Sequence, residues 1–566
     1  MAVQVASLLF PAVDVPDEAL RYVWLIAASL LPLVIVFSWS YDVSLDGIRR
    51  TPPAAPGENF DPSLRRLDYA LIVALAVIAV SLTIQFGTKI EAGPHTLDDS
   101  IDRFSIAVLP FDDLSGKAEE QFFISGMQSS LIDGLSRVRN LRVTSKVSTL
   151  PYRESGGSLL EIATQLGVAR LVEGTVLRSG DRVSIALRLH DAETDRQVWS
   201  ATFEDKLENI MLLQSRAAQE IANQVRVQLG PEEREQFAAA RPVNQEAYLA
   251  FLRGVFHVER FNPDDMRIAA THFQRAVEID PEFALGHWGL SKLCGFQAQA
   301  GVITPAEARE RCLPPVYRAL ELDPFLPEAH FGLAAMTTWQ LFDFDAARQH
   351  WERALELNPS YAEGHVFFSH YLAILGELET SSHHMQKALA LDPNNPFVVG
   401  LYSVQLAMLD KFDEAIEQAN RALNMAPGYA FGWITLALAH DTLGNHEKAI
   451  DAYANFFRYV HGRTDVADIL EQTFAHEGYA AANLAAGEFL IRKSKTSHVP
   501  PMHISTLLEF GGDYERSLDY MEIAVNGRDP DAPYIGAVVK DPVMRRNPRY
   551  KQLVSELGLG YWAAIP

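Results

Sequence analysis

The stretch Leu114-Ser115-Gly116-Lys117-Ala118 has the residue types of a phosphate-binding loop and lies between an expected strand and an expected helix. That chemistry needs a glycine five residues before the Gly-Lys pair, so that backbone N–H groups cradle the phosphate. It also needs a Ser or Thr hydroxyl after the lysine for the metal ion. Phe111 and Ala118 occupy those positions, so the motif fails and Gly116 reads as a turn residue. No Gly-x-Ser-x-Gly elbow, His-Glu-x-x-His pair or Cys-x-x-Cys pair is present, which removes the usual anchors for a hydrolase or a structural zinc site. Of the 17 histidines, His383 and His384 are adjacent, with His365 and His370 on the helix before them. Neighbours on a helix point in different directions, so these histidines read as surface and packing residues rather than ligands. Carboxylates are abundant, and nothing singles out a working pair among them. Cys294 and Cys312 are the only cysteines and fall on adjacent expected helices. They read as two independent buried thiols, a bridge being open to them only in an oxidising compartment. No catalytic residue, cofactor or metal is therefore expected.

With no chemistry to position, function must sit on a surface, and the elements that build it are marked by a row of dipeptides. Asp280-Pro281, Asp323-Pro324, Asn358-Pro359, Asp392-Pro393 and Ala426-Pro427 put prolines 43, 35, 34 and 34 residues apart. A period near 34 is the mark of paired antiparallel helices stacked into a solenoid. Alanines stand twelve and five residues before three of these prolines: Ala269 and Ala276, Ala347 and Ala354, Ala415 and Ala422. Two helix backbones must approach closely there, and the proline then stops the second helix. The pattern resembles the tetratricopeptide repeat, whose other positions match Trp433, Leu436, Gly444, Ala449 and Tyr453, with a further copy at Gly512, Ser517, Met521 and Ala524. Five good repeats, a degenerate stretch at residues 465–495 and a C-terminal copy are expected. The 43-residue step marks an insertion around residues 301–306. In that motif the first helix of each repeat lines the concave face, which by resemblance assigns Met336 and Trp339, Val366 and His370, Phe397, Val404 and Met408, and Phe431 and Ile434 to it. This set is apolar and aromatic, unlike the charged clamp by which relatives hold a C-terminal carboxylate. A strip of this kind marks a protein-binding groove, against the alternative that the side chains pack on neighbouring helices.

Residues 22–41 and 69–88 each run twenty positions without a charge, long enough to cross about 30 Å of hydrocarbon as a helix. Tyr22, Trp24, Trp39, Tyr41 and Tyr69 lie toward their ends, where the interface accepts an amphipathic ring. Arg49, Arg50, Arg65 and Arg66 stand between the runs, and the first twenty residues hold no Lys or Arg. The positive-inside rule then keeps loop 42–68 in the cytoplasm and sends everything after Lys89 outward. No basic segment precedes the first apolar run, so no cleaved secretory leader is expected. The apolar segment within residues 1–21 is too short to span.

Polar residues 89–103 read as a linker. Beyond it, strands are expected over 104–110, 141–149, 170–178, 182–190 and 197–203, with helices around 122–135, 158–166 and 207–229. This order gives an α+β module over residues 104–230. The segments Ser105-Ile106-Ala107-Val108-Leu109-Pro110-Phe111, Gly126, Leu141-Arg142-Val143, Glu173-Gly174-Thr175-Val176 and Gln197-Val198-Trp199 resemble the TolB-N-terminal/FlgO-like domains of Gram-negative bacteria. There such domains stand between membrane spans and tetratricopeptide arrays. Larger relatives carry a cyclase or winged-helix domain ahead of the membrane, and this chain is expected to start too late to hold either.

The fold class expected is mainly α: two transmembrane helices over 22–88, a small α+β module, and a C-terminal tetratricopeptide α-solenoid over 244–566. A net charge of −23 argues against a nucleic-acid partner, because phosphate contacts need a positive surface. The expected protein is non-enzymatic, held in a bacterial inner membrane with its folded domains in the periplasm. Its expected partners are membrane lipid and another protein, which could be an integral membrane complex. The rival expectations are a regulatory or sensor subunit of a cyclase or transcription system, and an accessory subunit of a larger membrane assembly.

Overall fold

A computed structural model of the chain describes residues 41–44, 47–50, 101–114, 120–153, 158–258, 263–299, 302–460 and 462–565. Apart from Tyr41, both expected membrane spans, the segment 1–21 and nearly all of the linker lie outside the described residues, as do positions 115–119 of the failed phosphate loop. Among the described residues no helix is long and apolar enough to cross a membrane. The chain divides into two units, Met1–Thr96 and Leu97–Pro566. In the first, β1 (Tyr41–Ser44) and β2 (Gly47–Arg50) pair antiparallel within the arginine-bearing loop.

The second unit opens with a six-stranded sheet: β3 (Ser105–Val108), β4 (Asp112–Asp113), β5 (Arg142–Val143), β6 (Arg170–Ser179), β7 (Arg182–Asp191) and β8 (Arg196–Lys206). The order is β5-β3-β6-β7-β8, with β4 beside β6. β3 lies parallel to β5 and β6, while β6, β7 and β8 form an antiparallel meander. Side chains alternate across a strand. Ile106 and Val108 therefore enter the core under α1 (Gln121–Ser136) and α3 (Ile210–Gln224), while Ala107 and Leu109 meet α2 (Leu159–Leu166) on the other face. Burial on both faces is why this strand reads as an unbroken apolar run. Ser158 caps α2 through a capping box and Gly167 closes it in a left-handed conformation. The strand expected over 141–149 is shorter than its sequence suggests. Only Arg142 and Val143 pair, and Lys146–Thr149 is a helical turn. Its polar groups bind the helical array instead: the Ser145 N–H donates to the Leu391 carbonyl, and the Ser148 hydroxyl to the Asp392 carboxylate.

The array has eight antiparallel pairs. They are α5 (Gln245–Val258) with α6 (Pro263–Ile279), α7 (Ala284–Gln299) with α8 (Pro305–Leu322), α9 (Pro327–Met336) with α10 (Phe344–Leu357), and α11 (Ala362–Leu375) with α12 (Leu378–Leu391). Then come α13 (Pro396–Met408) with α14 (Phe412–Met425), α15 (Ala430–Thr442) with α16 (His446–Val460), α17 (Thr464–Glu477) with α18 (Tyr479–Ser494), and α19 (Pro501–Phe510) with α20 (Tyr514–Gly527). All six phased alanines are fully buried. Within the pairs, the turn places a left-handed residue at 342, 376, 410, 444, 478 and 512, one every 34 positions. The stretch at 465–495 is thus in phase, with Gly478 at its turn. The 43-residue step is shared between the connection of α7 to α8 and the lengths of those helices, 16 and 18 residues where α11 and α12 have 14 each.

One expectation is corrected. Cys294 and Cys312 are not separate thiols: they are bridged, with Cα atoms 5.4 Å apart, because α7 and α8 bring them to the same level. The sheet module and the array share a core. α4 (Pro231–Ala238) fills the expected gap, and one core runs from Ile106 and Phe123 through Phe237 and Tyr248 to Phe251, Phe273 and Leu293. The module also docks further along, where the Ser360 hydroxyl donates to the Leu141 carbonyl (2.9 Å) and Arg353 pairs with Glu232 (2.9 Å). Overpacking a closed helix contact costs about 1–3 kcal/mol or more. Ala354→Trp is therefore expected to lower the melting point, and the sheet module should unfold in the same transition because it shares the core. A melting curve like the parent's would show that position 354 is not a helix contact.

Candidate functional site

The first helices of the middle pairs carry a row of aromatic rings. Phe331 on α9 meets Phe367 on α11 (5.6 Å between centroids), Phe367 meets Phe397 on α13 (5.4 Å), and Phe397 meets Phe431 on α15 (6.1 Å). Tyr361 packs beside Phe331 at 5.1 Å, and Tyr429 flanks Phe397 and Phe431 at 6.2 and 6.0 Å. Such contacts each add about 0.5–1.5 kcal/mol beyond area burial. The row is therefore fixed before anything binds. Phe331, Phe397, Phe431, Tyr361 and Tyr429 are partly buried rather than sealed in the core.

The nine residues assigned to this face separate into groups. Phe397 and Phe431 stand in the ring row, and Trp339 joins it at its edge, 5.3 Å from Phe367 and 5.8 Å from Trp351. Trp339, Val404 and Met408 pack in one cluster with Ile535, Trp562 and other residues of the C-terminal segment, which contains α21 (Ile535–Val538), α22 (Pro542–Arg546), α23 (Pro548–Glu556) and α24 (Gly560–Ala563). His370 lies beneath the same segment and is fully buried: its Nε2 donates to the Leu401 carbonyl (2.9 Å), and the Tyr534 hydroxyl approaches Nδ1 at 3.4 Å. Burial, opposed by the Leu401 carbonyl, moves this ring down to about 4. Met336 is buried in a cluster with the disulfide, and Ile434 packs toward the following pairs. Val366 is wholly buried.

An open strip along all these positions is therefore not what the chain forms. The C-terminal segment covers the end of the face near the helix C-termini. Trp562 Nε1 donates to the carbonyls of Ala373 (3.2 Å) and Ile374 (2.9 Å), and Lys540 Nζ donates to that of Met408 (2.9 Å). Gly376 makes room for it: its φ is +84°, and a Cβ there would collide with Tyr561.

The histidines have a repeated task that sequence reading missed. His287, His330 and His365 each stand six residues after the repeat proline and bond its carbonyl through Nε2 at 2.9, 3.0 and 3.0 Å. Trp433 does the same toward Pro427 at 2.8 Å. The six-residue offset was visible in the sequence, its meaning only in the fold. With Nε2 carrying the hydrogen, Nδ1 is left as an acceptor, and His384 Nδ1 reaches His365 Nδ1 at 2.8 Å, as His350 reaches His330 at 3.1 Å. Two neutral rings satisfy each other this way, and two cations could not. Among the described residues no group of His, Cys, Asp and Glu is arranged to hold a metal.

Residues 102–220 match the family model described as the second domain of HilA/YgeH-like transcriptional regulators. That domain is about a fifth of the chain and carries a different description from the TolB/FlgO resemblance. A Rhizobium meliloti (strain 1021) protein named "Putative adenylate cyclase 3" is 31% identical over 237 residues, which cover 42% of this chain and 40% of that one. This chain thus matches well under half of that relative's length. Similar solved structures include a thermophilic tetratricopeptide protein of Thermus thermophilus, at 19% identity, 32% of this chain, 92% of that chain and a TM-score of 0.27. Pseudomonas aeruginosa PilF is another, at 14% identity, 44% and 98% coverage and a TM-score of 0.30.

The buried histidines set a pH dependence. Burial lowers His365 to about 3, with Lys387 adding to the effect, and lowers His384 to about 4 with help from His383. The unfolded chain therefore binds protons first, near pH 6.5. Stability from these rings is complete above that pH and is lost as the pH falls toward 4. Glu509, raised to about 8 by burial and by Asp441 and Asp541, has the opposite slope. A variant must therefore be compared with the parent. His365→Gln is expected to make the fall in unfolding free energy between pH 7 and pH 4 shallower, read by urea titration. Equal slopes would show that His365 is protonated in the fold.

Proposed function

We propose that this protein is a non-enzymatic scaffold that binds another protein along the first-helix face of its array. The observation that carries the reading is the row from Phe331 to Phe431. Rings left partly open to water contribute little to the fold on their open side, and desolvated aromatic anchors are where binding energy concentrates. The occupant that suits the row is an apolar or aromatic segment of the partner, seated beside the C-terminal segment. Trp339, whose ring is held between Trp351 and Phe367, serves more as a wall than as an anchor.

In this reading the chain is anchored in a bacterial inner membrane by spans at 22–41 and 69–88, with the sheet module and array in the periplasm. Two observations support that placement: the four arginines of loop 42–68, and the Cys294–Cys312 bridge, which belongs to an oxidising compartment. A second reading, a regulatory or sensor subunit, is favoured by the match of residues 102–220 to a transcriptional-regulator domain and by the likeness to a cyclase-named relative. The two are compatible if partner occupancy is what the subunit reports. An accessory subunit of a larger membrane assembly remains the third.

Phe397→Ala and Phe431→Ala are each expected to weaken partner capture from solubilised native membranes by about 2 kcal/mol if these rings are central anchors. The melting point should fall much less than for a core truncation, which costs about 3–5 kcal/mol. A large loss of melting temperature with capture unchanged would assign the rings to the core alone. For topology, a cysteine introduced within residues 51–60 is expected to resist an impermeant thiol reagent in intact cells, and one at position 95 to react. The reverse labelling would put the array in the cytoplasm.

A further inference from the structure

A cleft of about 590 Å³ lies where the β5 edge of the sheet faces the end of α12. Its lining is basic in a chain of net charge −23: Arg139 and Arg142 from the β5 approach, Arg226 from the turn after α3, and Lys387 from α12, against Asp102 as the acid. Its apolar walls include Phe104, Leu141 and Leu391. We propose that this cleft binds an organic phosphate of about mononucleotide size.

The charges there are poorly compensated from within. Arg142 spends its guanidinium on two neutral carbonyls, those of Ala390 (2.7 Å) and Gly167. Burial lowers its pKa, opposed by Asp102. Among the described residues no carboxylate stands within ion-pair distance of Arg226 or Lys387. Only Arg139 has a partner, Glu232, at 2.5 Å. Arg226, which lines the cleft, also holds a left-handed backbone with φ of 63°, a conformation uncommon outside glycine.

Four cations against two acids, Asp102 and the Glu232 that holds Arg139, leave an excess of two that a dianion neutralises better than a monoanion. The planar fork of arginine matches phosphate in a two-bond geometry. The volume exceeds what inorganic phosphate fills and lies in the range of small-molecule sites, so the apolar walls have room for an organic moiety. Because the cleft joins the sheet module to the array, an occupant would bind both. That coupling is independent of what sits on the aromatic face.

Calorimetric titration of the purified full-length chain with AMP, cytidine monophosphate, glucose 6-phosphate, inorganic phosphate and succinate tests the proposal. At least one organic phosphate is expected to bind ten times more tightly than inorganic phosphate or succinate. Lys387→Gln and Arg226→Gln are expected to weaken that binding at least tenfold, while Lys411→Gln on the neighbouring pair leaves it unchanged. Both cleft side chains are exposed, so folding is expected to survive; should one variant fail to fold, the other carries the test. The proposal is overturned if no organic phosphate binds, if inorganic phosphate or succinate binds as tightly, or if the cleft variants bind like the parent.

Discussion

A pair of fourteen-residue helices cannot bury its own apolar side, so each pair in the array depends on a neighbour, and both ends of the row need a cover. The chain meets this constraint with two different devices. At the start, the sheet module supplies the missing layer through a core that passes from Phe123 to Tyr248 and Phe273 without interruption. At the finish, short helices after Gly527 fold back onto earlier pairs, with Trp562 bonded to Ala373 and Ile374, nearly 190 residues upstream. Both covers converge on α11 and α12, whose ends also hold Ser360 and Asp392 in bonds to the sheet module. The pair over residues 362–391 is therefore the junction of the molecule.

That convergence divides the face of the first helices. Where the C-terminal segment lies, His370, Met408 and Trp339 serve the interior, and His370 stays neutral because burial disfavours its charge. Beyond the segment, the aromatic row is supported by its own ring contacts and stays partly open to water. A preformed row costs little to order on binding, which favours affinity over a flexible surface of the same area. The basic cleft lies against the β5 edge, which is paired by Ser360 and the Leu391 carbonyl rather than left as an open strand. Aromatic row and cleft thus both draw residues from this junction.

Much of this was legible in the sequence because it follows from local rules. The prolines and alanines marked the period, and the apolar run Ile106-Ala107-Val108-Leu109 marked a strand. What was not legible depends on contacts distant in the chain. The bridge between Cys294 and Cys312 needs the two helices in register, which the 43-residue step concealed. The stretch at 465–495 looked degenerate because it has no repeat proline and carries Asn483 and Leu490 at the phased alanine positions, yet Gly444, Gly478 and Gly512 kept the phase and would have shown it. The strand expected over 141–149 failed because Ser145 and Ser148 are engaged by residues near 391, an interaction that no propensity records. The face residues were assigned correctly to first helices, but nothing local said that residues 535–565 would cover half of them.

The central claim is that a protein partner lies against the partly buried aromatic row. Photo-cross-linking in native membranes from a benzoylphenylalanine at position 397, compared with one at the exposed second-helix position Tyr317, tests it most directly. The account predicts a discrete protein adduct from position 397 and none from 317. An adduct from 317 with none from 397 would contradict it, because the partner would then lie on another side of the array.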